Sequence, residues 1–177
     1  MSKHRFYLMD SDVFIAAKNA YYAFPICPGF WDSMIHHHNA GSLSSIDKVQ
    51  SELLAGQKEE DLVKWVNGEL PDGFFHGTGG KEVTGLYSQI MLWAQRNTQY
   101  TAPAKAKFAT EADGWLVAYA SAHQHIVVTN EQPRPDSKSR ILLPDVCAQF
   151  KVPYLNTFEM LKELAVRYEW RTPKGKP

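Results

Sequence analysis

The sequence has few cysteines. Cys27 and Cys147 are the only two in 177 residues, and they stand far apart, with neither a Cys-x-x-Cys motif nor the spacing of a zinc site. This scarcity excludes a disulfide framework and favours a reduced setting. No stretch approaches the ~20 consecutive apolar residues of a membrane-spanning helix, and the apolar run after the basic start is too short for the core of a signal peptide. We therefore expect a cytoplasmic protein with no membrane partner.

An excess of either charge is also absent, because 19 Lys and Arg residues balance 19 Asp and Glu residues. This balance excludes a uniformly basic nucleic-acid or membrane binder, although it leaves room for a local basic patch. The hydrophobic share of 44% is that of a globular protein. Because a domain spans roughly 100–200 residues, we expect one domain over residues 1–170 and a flexible tail over 171–177.

Hydrophobic patterning predicts alternating strands and helices. The apolar run 6–9 is typical of a strand buried on both faces of a parallel sheet, and the β-branched run 126–129 indicates a second strand. The glycine-rich segment 71–80 is expected to be an irregular loop. Helices are predicted over 13–22 with Ser11 or Asp12 as the cap, 30–38, 44–54, 59–67, 83–97, 111–123, from 144, and over 157–168. The alternation predicts an α/β sandwich with a mainly parallel central sheet.

Acidic residues follow both predicted strands. Asp10 and Asp12 come directly after the first strand, and Glu131 follows the second. Ligands of open parallel sheets bind beyond the carboxyl ends of the strands, so these carboxylates are expected at one edge. Asp12 alone is equally typical of a helix cap.

Two further acids come from predicted helices. Asp113 lies on the apolar face of its helix, because the residues three, four and seven positions later are apolar. Glu52 only flanks an apolar stripe, so it is also explained as an ordinary solvated helix residue. Two unit charges ~4 Å apart repel by about 4 kcal/mol at an effective dielectric constant near 20. A divalent cation with a preference for oxygen ligands, Mg²⁺ or Mn²⁺, would neutralise such a cluster and suits phosphate chemistry.

These acids lie in four segments that resemble the motifs of PIN-domain ribonucleases, in the same order along the chain. They are Tyr7-Leu8-Met9-Asp10-Ser11-Asp12-Val13-Phe14-Ile15, Val49-Gln50-Ser51-Glu52-Leu53-Leu54-Ala55-Gly56, Ala112-Asp113-Gly114-Trp115-Leu116-Val117-Ala118-Tyr119-Ala120 and Val127-Val128-Thr129-Asn130-Glu131. The resemblance implies a three-layer α/β/α sandwich. The chain departs from the common pattern at Asp12, where Asn is frequent, at Glu131, where Asp is frequent, and in an insertion between the second and third motifs.

The resemblance also implies a function. It carries over Asp10, Glu52, Asp113 and Glu131 as the catalytic and metal-binding quartet of an endoribonuclease that uses one or two Mg²⁺ or Mn²⁺ ions. Supporting polar or capping roles fall to Ser11, Asp12, Thr129 and Asn130. Many such proteins are toxins of toxin–antitoxin pairs, so the expected partners are an RNA substrate, a cognate antitoxin protein and a second copy in a homodimer.

Two other functions remain open. The segment Asp10-Ser11-Asp12-Val13 also matches the opening of haloacid-dehalogenase-like phosphatases, in which Asp10 would be the nucleophile and Asp12 the general acid–base. That family has a late acidic pair, of which Asp113 supplies only one member. The third alternative is a non-catalytic PIN-like module that only binds RNA or a protein.

A basic segment follows Glu131. Arg134, Lys138 and Arg140 bring three cations beside the proposed site, which makes this loop the candidate RNA-binding surface. A solvated loop explains the same pattern equally well.

Overall fold

A five-stranded parallel sheet forms the centre of the protein. The computed structural model describes residues 5–57 and 60–171. The strands are β1 (Tyr7–Met9), β2 (Leu43–Ile46), β3 (Phe75–His76), β4 (Ile126–Val128) and β5 (Tyr154–Leu155). Their order across the sheet is β3-β2-β1-β4-β5, and every pair is parallel. This arrangement puts β1 at the centre.

Helices cover the sheet in the described part of the chain. They are α1 (Ser11–Ala16), α2 (Pro28–Asn39), α3 (Asp47–Leu53), α4 (Asp61–Gly68), α5 (Lys81–Arg96), α6 (Ala102–Phe108), α7 (Asp113–His123), α8 (Leu143–Gln149) and α9 (Thr157–Glu163). A π-helical segment, Ala17–Tyr21, continues α1. The result is a three-layer α/β/α sandwich, as predicted. No helix of the described residues is both long and apolar enough to span a membrane.

The register of the central strands aligns their carboxyl ends. Met9 pairs with Val128, and the amide of Asp10 donates to the carbonyl of Val128 at 3.0 Å. All three residues of β1 are buried, as expected of a strand with helices on both faces. This register places Asp10 and Thr129 side by side at the edge of the sheet.

The prediction for residues 44–54 was wrong at its start. Ser44 and Ser45 resemble helix caps in the sequence, but they lie in β2, whose four residues are all buried. The Ser45 hydroxyl donates to the carbonyl of Met9 at 2.6 Å, so a polar residue is accommodated in the sheet by pairing with the neighbouring strand. The helix begins only at Asp47.

Other elements also differ from expectation. The segment predicted as an irregular loop contains β3, and α6 and β5 were not predicted at all. Thr101 caps α6 by accepting from the amide of Ala104 at 3.4 Å. The last helix ends at Glu163 instead of residue 168. The start of the predicted helix 59–67, at residue 59, and residues 172–177 of the predicted tail lie outside the described residues.

Gly114 permits the close packing of α5 against α7. A Cβ atom at this position would lie 2.8 Å from the Met91 methyl group and 3.1 Å from the Tyr87 ring. The methionine can move aside, but the Tyr87 ring stacks on Trp115 at a centroid distance of 3.6 Å and has little room to retreat. The glycine therefore fixes the distance between α5 and the helix that carries Asp113.

We expect Gly114→Ala to lower the free energy of unfolding by about 1 kcal/mol, because overpacking exceeds the gain in helix propensity. Gly85→Ala in α5 is the matched control: its Cβ would meet no atom within 4 Å. That change should instead stabilise the protein by roughly 0.5–1 kcal/mol. Urea unfolding measures both, and equal effects of the two substitutions would contradict the packing argument.

Candidate active site

Asp10 ends the central strand and caps the helix that follows. Its Oδ1 atom accepts from the amide of Ser11 at 2.7 Å, and its Oδ2 atom accepts from the Thr129 hydroxyl at 3.1 Å. The side chain is 4% exposed. The cap of α1 is therefore Asp10, where the sequence pointed to Ser11 or Asp12. Both carboxylate oxygens are held in fixed positions.

Asp12 joins the same site from the first turn of α1. Its Oδ2 atom accepts from the amide of Asn130 at 2.8 Å, which links α1 to the loop after β4. Its Oδ1 atom is buried and, within the described residues, has no hydrogen-bond donor. A buried carboxylate oxygen without a donor is costly, so this atom is available to a ligand.

Asp113 and Glu52 meet at the start of α7. Asp113 is 8% exposed, and none of the described residues donates a hydrogen bond to its carboxylate. The Oε1 atom of Glu52 accepts from the amide of Ala112 at 2.8 Å, so a carboxylate from α3 caps this helix N-terminus. The apolar spacing around Asp113 thus correctly predicted a side chain that points inward.

Both carboxylate oxygens of Glu131 have a partner. Its Oε1 atom lies 2.6 Å from Nη2 of Arg140, and its Oε2 atom accepts from the amide of Leu143 at 3.0 Å. Arg140, predicted as an RNA contact, is thus the counter-ion of a predicted metal ligand. The five acids Asp10, Asp12, Glu52, Asp113 and Glu131 are called the acidic centre below.

The acidic centre is electrostatically crowded. Burial raises the pKa of Asp10 well above its usual value, and the nearby charges of Asp113 and Asp12 raise it further. Burial is also the main cause of the raised pKa of Asp113, to which Glu131, Glu111 and Glu52 add. The pKa of Asp12 is raised mainly by burial, against hydrogen bonds that favour its charged form. Arg140, which is paired with Glu131, lowers the pKa of Asp113 in part, but the acids outnumber the cations at the site.

The donor set suits a hard divalent cation. Among the described residues, no three His, Cys, Asp or Glu side chains already stand together as ligands. The unpaired Oδ1 atom of Asp12 and the carboxylate of Asp113 are nevertheless free oxygen donors in a site where acids outnumber cations. Oxygen donors of this kind are those that Mg²⁺ and Mn²⁺ prefer.

The sequence did not point to two neighbours of the site. Cys147 is fully buried in α8, and the charges of Asp113 and Asp10, together with burial, raise the pKa of its thiol. Glu111 lies two residues before Asp113 and adds to its crowding. Cys147 belongs to no sequence motif that could have marked it as a neighbour of the site. Glu111 could have been identified from its position two residues before Asp113.

The other predicted site residues, Asn130 and those of the basic loop, differ in how the structure holds them. Asn130 accepts through its side chain from the amide of Thr157 at 3.2 Å, and the amide of Arg134 donates to Asp145 at 3.1 Å. The side chains of Arg134 and Lys138 are exposed. Gln99 donates to the carbonyls of Pro135 and Ser137, so the basic loop is attached to the body of the protein.

The fold is a PIN-like three-layer sandwich. FitAcB from Neisseria gonorrhoeae has a similar structure, with a TM-score of 0.54 and 16% identity over 86% of this chain and 99% of that one. A structure of FitAB bound to the IR36 DNA fragment gives a TM-score of 0.52 and 19% identity over 85% and 94%. At these identities the likeness concerns the fold.

The family is shown by sequence. The model of a domain of unknown function, DUF4411, matches residues 7–168, and the chain belongs to this family. No curated protein matches the sequence significantly.

We expect Asp113→Asn to raise the free energy of unfolding in metal-free buffer at neutral pH, by at least about 1 kcal/mol, because it removes one of several repelling charges. The pKa of Asp113 is higher in the folded state than in the unfolded state. The stability that the parent loses through this charge therefore grows as the pH rises from the unfolded-state pKa to the folded-state pKa. The gain should vanish below about pH 3, under the ordinary aspartate pKa of about 3.9.

The exposed Asp136 provides the control, since Asp136→Asn should leave stability unchanged. Thermal or urea unfolding across pH measures both variants. A gain at Asp113 that stays constant with pH would rule out charge repulsion as its cause.

Proposed function

We propose that the protein is a metal-dependent endoribonuclease and the toxin of a toxin–antitoxin pair. The observation that carries the proposal is the pair of buried carboxylates, Asp10 and Asp113, at the carboxyl edge of a PIN-like sheet. Burial raises the pKa of both carboxyl groups, and holding them charged in the interior costs stability. Groups with pKa values perturbed in this way are concentrated at functional sites. A purely structural role does not explain why the two buried carboxylates of Asp10 and Asp113 are placed together.

The residues have distinct tasks in this proposal. Asp10 and Asp113 hold a divalent cation, with Glu52, Glu131 and the free oxygen of Asp12 within the same centre. When bound, Mg²⁺ or Mn²⁺ supplies Lewis-acid chemistry that activates water and stabilises charge on a phosphodiester. Thr129 fixes the Asp10 carboxylate by donating at 3.1 Å, and the amide of Asn130 fixes Asp12 at 2.8 Å. These bonds preorganise the site.

The proposed partners are an RNA substrate, an antitoxin protein and a second copy of the chain. FitAB and FitAcB are the similar structures, and one of them is bound to a DNA fragment. Their likeness to this chain supports an antitoxin partner and dimerisation. The exposed Arg134 and Lys138 are proposed to contact RNA phosphates, whereas Arg140 reaches RNA only by leaving Glu131.

We expect Mn²⁺ or Mg²⁺ at ~100 times its dissociation constant to raise the free energy of unfolding by about 2.7 kcal/mol. The same metals should support cleavage of single-stranded RNA, and Asp10→Asn or Asp113→Asn should reduce the rate by at least ~100-fold. Calorimetry and a cleavage assay measure the two effects.

Asp136→Asn again serves as the control and should behave like the parent. Metal binding without any RNA cleavage would favour the non-catalytic binding module. An unchanged melting temperature with and without metal would count against the metal site itself.

A phosphatase of the haloacid-dehalogenase type is the second candidate, because the raised pKa of Asp12 suits a proton donor. As the proton donor, Asp12 would raise the rate of phosphomonoester hydrolysis by ~10²–10⁴-fold, so Asp12→Asn would remove most of this activity. In the ribonuclease, asparagine keeps an oxygen that accepts from the Asn130 amide, and Asp10 and Asp113, the carboxylates proposed to hold the cation, are unchanged. We then expect RNA cleavage within about tenfold of the parent, or ~1.4 kcal/mol in the barrier.

Parallel assays on RNA and on a small phosphomonoester separate the two functions. Monoester hydrolysis that collapses in Asp12→Asn would replace the ribonuclease by the phosphatase. Asp10→Asn is uninformative for this comparison, since both functions need that carboxylate.

A further inference from the structure

A cavity of about 310 Å³ opens between α3 and the start of α7. Its lining includes Lys48 and Glu52 from α3, Glu111 and Ala112 from the segment before α7, and Trp115 from the first turn of α7. The proposed function uses only Glu52 among these residues. The cavity therefore combines a cation, an aromatic ring and a carboxylate whose joint role is unexplained.

The cavity shares a wall with the acidic centre. Glu52 lines it and binds the amide of Ala112, the residue before Asp113. Glu52 and Glu111 both act electrostatically on Asp113. A group bound in the cavity consequently lies next to the carboxylates that are proposed to hold the metal.

Trp115 is a rigid wall of this cavity. Tyr87 stacks on its indole with a centroid distance of 3.6 Å and an interplanar angle of 8°. One face of the indole is thus covered. Because an aromatic ring fixed in this way loses little entropy on binding, its other face suits a stacked base.

Lys48 covers the indole face that Tyr87 leaves open. Its ammonium lies over the ring, 5.3 Å from the centroid, and it forms no ion pair with any described residue. Lys107 brings a second ammonium, 3.5 Å from the carboxylate of Glu111. A cation held only by a ring is readily transferred to a phosphate, while Lys107 neutralises the acid that would repel it.

We propose that this cavity binds one nucleotide of the single-stranded RNA substrate, next to the phosphodiester that is cleaved. The base stacks on the outer face of Trp115, and Lys48 moves from that face to the nucleotide's phosphate. The assignment rests on the proposed ribonuclease function, and it makes this cavity, in addition to the basic loop, a part of the RNA-binding surface.

The test measures binding in EDTA, where no metal-dependent cleavage consumes the probe. Lys48→Met keeps the aliphatic stem and removes the charge, and Lys162→Met in α9, next to the opposite edge of the sheet, is the matched control. The probe is a short fluorescein-labelled single-stranded RNA, titrated at several salt concentrations. We expect Lys48→Met to weaken binding by at least ~3-fold and to reduce the salt slope by about one, because one phosphate contact is lost.

Trp115→Phe tests the stacking site and preserves an aromatic partner for Tyr87. Adenosine 5′-monophosphate should quench the tryptophan fluorescence of the parent, and this quenching should disappear in the variant, which retains four of the five tryptophans. Circular dichroism checks that both variants are folded. Quenching that persists in Trp115→Phe, or equal RNA affinity of Lys48→Met and Lys162→Met, would overturn the proposal.

The experiment separates this site from the nuclease function. If the parent cleaves RNA with metal but Lys48→Met has an unchanged KM and affinity, the cavity assignment fails and the ribonuclease stands. If Lys48→Met weakens RNA binding and Trp115→Phe abolishes quenching as expected but the parent never cleaves RNA, the cavity is supported and the catalytic assignment fails. A single-stranded DNA of the same sequence, run in parallel, reports whether the site distinguishes the two sugars.

Discussion

Mutual repulsion among buried carboxylates is the constraint on which the rest of the site depends. Asp10 and Asp113 are held out of water by the layers of the sandwich, and no cation stands beside either as a direct ion-pair partner in the described part of the chain. The surrounding structure limits the cost at the end of β1 with neutral donors: the Thr129 hydroxyl and the Ser11 amide donate to Asp10, and the Asn130 amide donates to Asp12. Such donors stabilise charge without neutralising it, which leaves the centre attractive to a cation.

The positions of the acids are fixed by two different kinds of support. The strand acids depend on the register between β1 and β4, which is set by backbone hydrogen bonds. Asp113 depends instead on how closely α7 can approach α5, and therefore on Gly114. The segment between the second and third motifs includes α5, so part of that segment supports the acidic centre.

The sequence predicted the features that depend on residues close to one another along the chain. Buried strands are followed directly by Asp10 and Glu131, and the helical spacing around Asp113 marks an inward position, so the edge of the sheet could be identified. The strand β2 was missed because Ser44 and Ser45 have the local pattern of a cap, and only pairing with β1 makes them strand residues. The Trp115–Lys48 contact joins separate parts of the tertiary structure, which no local pattern specifies. The Glu131–Arg140 contact depends on the conformation of the nine-residue stretch that leads from one to the other.

The ion pair between Arg140 and Glu131 has a thermodynamic consequence. A metal that takes Glu131 frees the guanidinium, and a phosphate that takes Arg140 frees the carboxylate. Each ligand thus removes a competitor of the other, and linkage requires the effect to be mutual: whatever factor RNA contributes to metal affinity, the metal contributes to RNA affinity. In the proposed nuclease, this pair would make RNA and metal binding positively cooperative, so that the two ligands would fill the site together.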